Sequence, residues 1–87
     1  MTTKLLEGKK VLITGSRRGI GAGIAQLFAE HGADVGINDI VRDEEADKTI
    51  ASIESLGRKA SWHQADVGNG DDRTRMLDEF VEQHGRI

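Results

Sequence analysis

The stretch Val11-Leu12-Ile13-Thr14-Gly15-Ser16-Arg17-Arg18-Gly19-Ile20-Gly21 joins a buried-strand pattern to a glycine loop and then to the start of an amphipathic helix. Its glycines meet separate needs: a tight turn off the strand at Gly15, close approach of backbone to a pyrophosphate at Gly19, and close packing of the next helix at Gly21. A helix beginning near Gly19 turns its unpaired N–H groups and the positive end of its dipole toward that anion. The bland alternative is a glycine-rich turn with no ligand. The context favours a dinucleotide site. Ile20, Ile24, Leu27 and Phe28 recur at helical spacing after the loop, and Asp39 closes a second strand pattern, Val35-Gly36-Ile37-Asn38, where a ribose-binding acid belongs. A nucleoside-triphosphatase loop is excluded, since no Gly-Lys-Ser/Thr follows the glycines.

Outward from the loop, strand and helix patterns alternate. A strand is expected over 10–14 and a helix over 19–31, ended by Gly32; a second strand follows over 34–38. The second helix starts at Asp43, whose side chain can cap it, with Glu44 and Glu45 suiting the positive helix end. Ala46, Ile50, Ile53 and Leu56 form its core stripe, and Gly57 ends it. A third strand is expected over 59–64 and a third helix over 71–84, with Met76, Leu77, Phe80 and Val81 facing inward. This order predicts an α/β fold, the N-terminal half of a Rossmann-type doubly wound parallel sheet. Right-handed crossovers put the first two helices on one face and the third on the other. The expected strand order is 3-2-1, truncated before strand 4, which leaves Val11, Leu12 and Ile13 with an open edge.

Composition narrows the possibilities. The 87 residues hold 12 Lys and Arg against 15 Asp and Glu, a net charge of −3, with no basic stripe for nucleic acid. Cysteine is absent, which removes disulfides and thiolate metal sites and fits a reducing compartment. No apolar run suits a signal peptide or a membrane span, so a cytoplasmic chain without a membrane partner is expected. His31, His63 and His84 have neither the spacing nor the acidic companions of a metal site and read as helix-end or strand-surface residues. Trp62 reads as partial core. No Gly-x-Ser-x-Gly elbow supports a serine hydrolase.

The spacing Gly-x-x-x-Gly-x-Gly preceded by Thr14 resembles the signature of the short-chain dehydrogenase/reductase family. Leu6-Glu7-Gly8-Lys9 is similar to that family's lead-in to its first strand, and Ala65-Asp66-Val67 to its acidic turn after the third. The resemblance runs from Lys4 to Ile87 and implies that residues 1–87 form the N-terminal part of a single NAD(P)-binding domain. The family's reaction centre, a serine with a Tyr-x-x-x-Lys pair, lies downstream of the fourth strand, and this chain contains no tyrosine. No catalytic residue is therefore assigned.

The cofactor-binding set expected on these grounds is Gly15, Ser16, Arg17, Arg18, Gly19, Ile20, Gly21, Asp39, Asp66 and Val67. Asp39 can accept hydrogen bonds from both hydroxyls of an adenosine ribose. It would repel a 2'-phosphate by about 4 kcal/mol per charge pair at about 4 Å and an effective dielectric of about 20. That favours NAD. Arg18 pulls toward NADP, because the family often places there a basic residue that contacts the 2'-phosphate, and Arg17 adds to it. Exposed guanidinium groups are screened, so Asp39 carries more weight and NADP is the weaker fit. The resemblance further implies that Asp66 meets the adenine amino group with the Val67 backbone beside the ring, that Ser16 and Arg17 lie near the ribose, and that the Ile20 amide lies near the pyrophosphate. Thr14 reads as a structural residue of the turn.

The leading functional reading is the cofactor-binding part of an oxidoreductase moving hydride between nicotinamide and an alcohol or carbonyl. Expected partners are the dinucleotide and either a second copy of the chain or the missing C-terminal part of the same domain. Two alternatives stand beside it: a non-catalytic dinucleotide-binding or interaction module completed by another chain, and a methyltransferase holding S-adenosylmethionine. The Thr14 to Gly21 spacing argues against the last.

Overall fold

A computed structural model of the chain describes residues 5–87. The elements are β1 (Lys10–Ile13), α1 (Gly19–Glu30), β2 (Asp34–Asp39), α2 (Glu44–Glu54), β3 (Ala60–Gln64) and α3 (Gly70–His84). The strands form a parallel sheet in the order β1-β2-β3, the expected order read from its other edge. Val11 stands opposite Val35, and Ile37 opposite both Ile13 and Trp62.

Alternation along the strands sorts side chains between two faces. Val35 and Ile37 are fully buried on one face against Ala25, Ala29 and Ile53 of α1 and α2, with Val11, Ile13, Ala60 and Trp62 packed around them. On the other face Gly36 lies against Phe80 of α3 and the Leu12 side chain. The first two helices therefore share one face and the third covers the opposite one, as right-handed crossovers require.

Which stripe each helix buries differs from the sequence reading. In α1, Ala25 and Ala29 face the sheet, Phe28 is half-buried, and Ile20, Ile24 and Leu27 are exposed, Ile20 at 85%. Small side chains let the helix backbone lie close to the strands, and that turns the large residues into an apolar strip at i, i+4 and i+7 on the outside. In α2 the buried residues are Ala46, Thr49 and Ile53; Leu56 falls beyond the helix end and is exposed. In α3 they are Met76, Phe80 and His84, while Leu77 and Val81, about 100° further round the helix, are exposed.

His63 and His84 are thus not surface residues. Both are buried around Phe80, whose ring stacks on His84 at a centroid distance of 4.4 Å and lies 5.6 Å from the ring of His63. The buried Ser61 Oγ stands 2.7 Å from the Nε2 of each. A hydroxyl carries one proton and two lone pairs, so it donates to at most one of the rings, and at least one ring donates its Nε2–H to it. Each Nδ1 is buried without a partner. Burial, the dominant cause in both, holds the two histidines below their ordinary pKa.

The two edges of the sheet are unlike. At the end of β3, Arg75 Nη2 donates to the Gln64 carbonyl at 2.8 Å. The outer edge of β1 carries four half-buried residues, Lys10, Val11, Leu12 and Ile13, and among the described residues no strand pairs with it. Among the described residues no helix is long and apolar enough to cross a membrane.

Candidate dinucleotide site

The loop after β1 folds as its glycines dictate. Gly15 and Gly19 adopt positive φ values of 61° and 63°, which side chains disfavour, and a Cβ on either would point into open space. At Gly21 a Cβ would stand 2.3 Å from the Gly15 carbonyl oxygen, so the start of α1 rests directly on the turn. Arg18 occupies the N-cap position of α1 in extended backbone, with no side-chain capping bond, and no acid stands in the first turn. The other two helices are capped, α2 by Asp43 on the Ala46 N–H and α3 by Asn69 on the Asp72 N–H, and both carry acids in the first turn. An uncapped helix start behind a glycine loop presents free N–H groups and a positive dipole end, the requirement for holding a pyrophosphate. The amides of Gly19, Ile20 and Gly21 belong to that first turn.

Ser16 lies within the loop with its side chain directed into the protein. It is fully buried; its hydroxyl donates to the Ile13 carbonyl at 2.6 Å and accepts the Asn38 N–H at 3.0 Å. The hydroxyl's proton and one of its lone pairs are thus engaged inside the protein. The partner in this clamp, Asn38, escaped the sequence reading. Its Nδ2 donates to the carbonyls of His63 and Ala65, and its Oδ1 accepts the Gly15 N–H at 3.3 Å. It thereby pins β2 to the glycine turn and to the end of β3. The available signal was an amide side chain at the end of an otherwise apolar buried run.

Asp39 stands at the carboxyl end of β2, where open parallel sheets bind their ligands. Its Oδ1 accepts the Ile40 N–H at 2.9 Å, and Oδ2 lies 3.5 Å from Arg17 Nε. Arg17 is only partly exposed, and its Nη1 donates to Asp43 Oδ2 at 2.6 Å. The Ala46 N–H and then the Arg17 guanidinium hold the Asp43 carboxyl below the usual carboxylate pKa. Arg18 is exposed beside them.

Beyond Asp39, a cavity of about 350 Å³ is lined by Ile40, Gln64, Ala65, Asp66, Asp72 and Arg75. Asp66 is held in place: its N–H donates to Asp72 Oδ2 and its Oδ1 accepts the Gly68 N–H, each at 2.9 Å. Val67 is exposed, and its carbonyl accepts from Arg73 Nη1 at 2.7 Å. The carboxyl ends of β2 and β3 thus bring Asp39 and Asp66 to one rim, while Gly15 to Gly21 lie beyond the end of β1. Asp72 and Arg75 reach the cavity from α3.

The sequence profile of the short chain dehydrogenase family matches residues 9–87. The chain belongs to that family. Among curated relatives, this short-chain dehydrogenase sequence is 44% identical over 82 residues to versicolorin reductase stcU of Emericella nidulans, covering 94% of this chain and 31% of that protein. It is 42% identical over 84 residues to L-rhamnose 1-dehydrogenase (NAD(P)(+)) of a Sphingomonas species, covering 97% and 33%. Its fold is similar to a short chain dehydrogenase of Burkholderia cenocepacia solved in complex with NADP, with TM-score 0.87, 42% identity, and 92% of this chain and 33% of that one covered. Carveol dehydrogenase of Mycobacterium avium, solved in complex with NAD, gives TM-score 0.89 at 29% identity, covering 99% and 35%. The chain therefore spans about a third of the length of these relatives.

Proposed function

We propose that this chain is the cofactor-binding N-terminal part of an oxidoreductase that uses NAD in preference to NADP, and that sits in the cytoplasm. The observation that carries the reading is the uncapped start of α1 behind the Gly15 to Gly21 turn, with Asp39 at the neighbouring strand end. In this reading the amides of Gly19, Ile20 and Gly21 hold the pyrophosphate, Asp39 takes the adenosine ribose, and Asp66 with the Val67 backbone takes the adenine at the cavity rim. Bound nicotinamide supplies or accepts hydride, against an alcohol or carbonyl substrate. The chain's own residues bind and orient; none of those described is assigned to proton transfer.

The test is calorimetric titration of the chain with NAD, NADP and S-adenosylmethionine. Saturable binding of NAD, weaker binding of NADP and none of S-adenosylmethionine is the expected result. Binding of S-adenosylmethionine alone would sink the proposal.

The open β1 edge and the exposed strip Ile20, Ile24 and Leu27 favour a second reading as well, a binding module whose sheet is completed by another chain. Reading the DNA that follows codon 87 separates the two. A frame continuing into Asn-Asn-Ala-Gly and Tyr-x-x-x-Lys supports the oxidoreductase; a stop codon supports the module.

A further inference from the structure

Arg17 is held between two carboxylates, and the two contacts are unequal. Its Nη1 donates to Asp43 Oδ2 at 2.6 Å, whereas its Nε, buried and without a hydrogen bond, lies 3.5 Å from Asp39 Oδ2. Asp43 is itself fixed, because its other oxygen accepts the Ala46 N–H at 3.1 Å as the N-cap of α2. The same helix also holds the Arg17 backbone, since Thr49 Oγ1 donates to the Arg17 carbonyl at 2.7 Å. The guanidinium is therefore tied to α2 and is only 13% exposed. A side chain so held cannot swing toward a new anion without breaking its hydrogen bond to Asp43.

We infer that Asp43 is a specificity-determining residue that acts through Arg17, biasing the site at Asp39 against a ribose 2'-phosphate. It does so in two ways. It anchors the guanidinium against α2, and it brings a second negative charge, so that Asp39, Arg17 and Asp43 together present a net negative charge. With the Asp43 charge removed, Asp39 and Arg17 neutralise one another and the guanidinium fork is free to take a phosphate through paired N–H donors. Asp43 is a positioning residue, at the start of the helix after Asp39. The inference rests on the reading of Asp39 as the ribose acid.

The experiment measures Kd for NAD and NADP by calorimetry in the full chain and in Asp43→Asn, which keeps a capping oxygen and loses the charge together with the acceptor that holds Arg17. Asp43→Ser, another capping residue, is carried alongside in case the first variant folds poorly. The NADP-to-NAD preference is expected to rise about fivefold, the scale of one partly screened charge pair, and the rise should shrink with added salt. In an Arg17→Ala background the same substitution should produce a smaller rise, because only the charge of Asp43 and no longer the tether is removed. An unchanged ratio in both Asp43 variants overturns the inference, as does a rise of the same size in the Arg17→Ala background. Equal weakening of both dinucleotides overturns it too, since that marks a purely structural cap. Asp39→Ala separates the two levels. If it shifts the ratio and the Asp43 variants do not, only the tether is wrong; if it leaves the ratio unmoved, the ribose reading fails. A chain that binds neither dinucleotide overturns both.

Discussion

Gly36 in the middle of β2 lies directly beneath Phe80 of α3: a Cβ there would stand 2.7 Å from two ring carbons and 2.9 Å from Leu12 Cδ1. The absent side chain is what lets α3 reach the sheet, since Phe80 is fully buried at this contact. Gly36→Ala is expected to destabilise the fold by about 1–3 kcal/mol, the range for overpacking a core. Phe80→Leu in the same background should recover part of the loss, because the clash is with the ring. Urea unfolding checks both, and an unchanged midpoint for Gly36→Ala would refute the contact.

The Ser61, His63 and His84 cluster makes stability fall on acidification. Burial holds both imidazoles below their ordinary value of 6.5; Glu79 pulls His63 the other way, while for His84 Lys59 and Lys10 add to burial and Asp34 opposes it. The unfolded chain then binds protons that the folded chain refuses. The contribution is full above about 6.5 and is lost as pH falls from there toward the lowered folded pKa values. Tm should decline from about pH 7 to about pH 5.5, and less steeply in His84→Gln. A Tm profile flat through this window, or equally steep in the variant, would rule the pair out as its source.

Ser16→Ala should damage folding and spare binding. The hydroxyl bridges Ile13 and Asn38 in the interior, so its removal leaves a buried N–H and a buried carbonyl without those bonds, at a cost of about 1–3 kcal/mol. Dinucleotide Kd, measured under conditions where the variant is folded, should not move. A large loss of affinity with unchanged thermal stability would instead place Ser16 on the ligand.

Asp39→Ala should weaken NAD relative to NADP by tenfold or so, given about 1.4 kcal/mol per decade, through lost ribose hydrogen bonds and relieved repulsion. If the ratio holds while Arg18→Ala sharply weakens NADP, the arginine is the stronger determinant.

The chain alone should reduce no nicotinamide. It has no tyrosine to act as acid and base, and binding cannot replace that proton transfer. Absorbance growth above a buffer control, across a panel of alcohols, would contradict this.

What could be read in advance was whatever acts over a few residues. The Gly15, Gly19 and Gly21 turn, the Asp43 cap and the alternation of strands and helices are all local, and each stands where its spacing puts it. The buried helix faces were harder. Hydrophobicity favoured Ile20, Ile24 and Leu27 over Ala25 and Ala29, but distance from the sheet is set by side-chain size, and the small residues took the contact. Relations between distant positions left no trace in spacing. The Asn38 clamp joins β2 to the glycine turn and β3, the Ser61 bridge reaches from β3 to α3, and Arg17 finds Asp43 across 26 residues.

The end of the β3 margin carries a bond from Arg75, and the β1 margin offers unpaired backbone. The chain is therefore a natural half for split-protein complementation: the remainder of a family domain, expressed as a separate polypeptide beginning with its own next strand, can be tested for docking on the β1 margin. Reconstitution in trans would then report on the β1 margin with no covalent link between the halves.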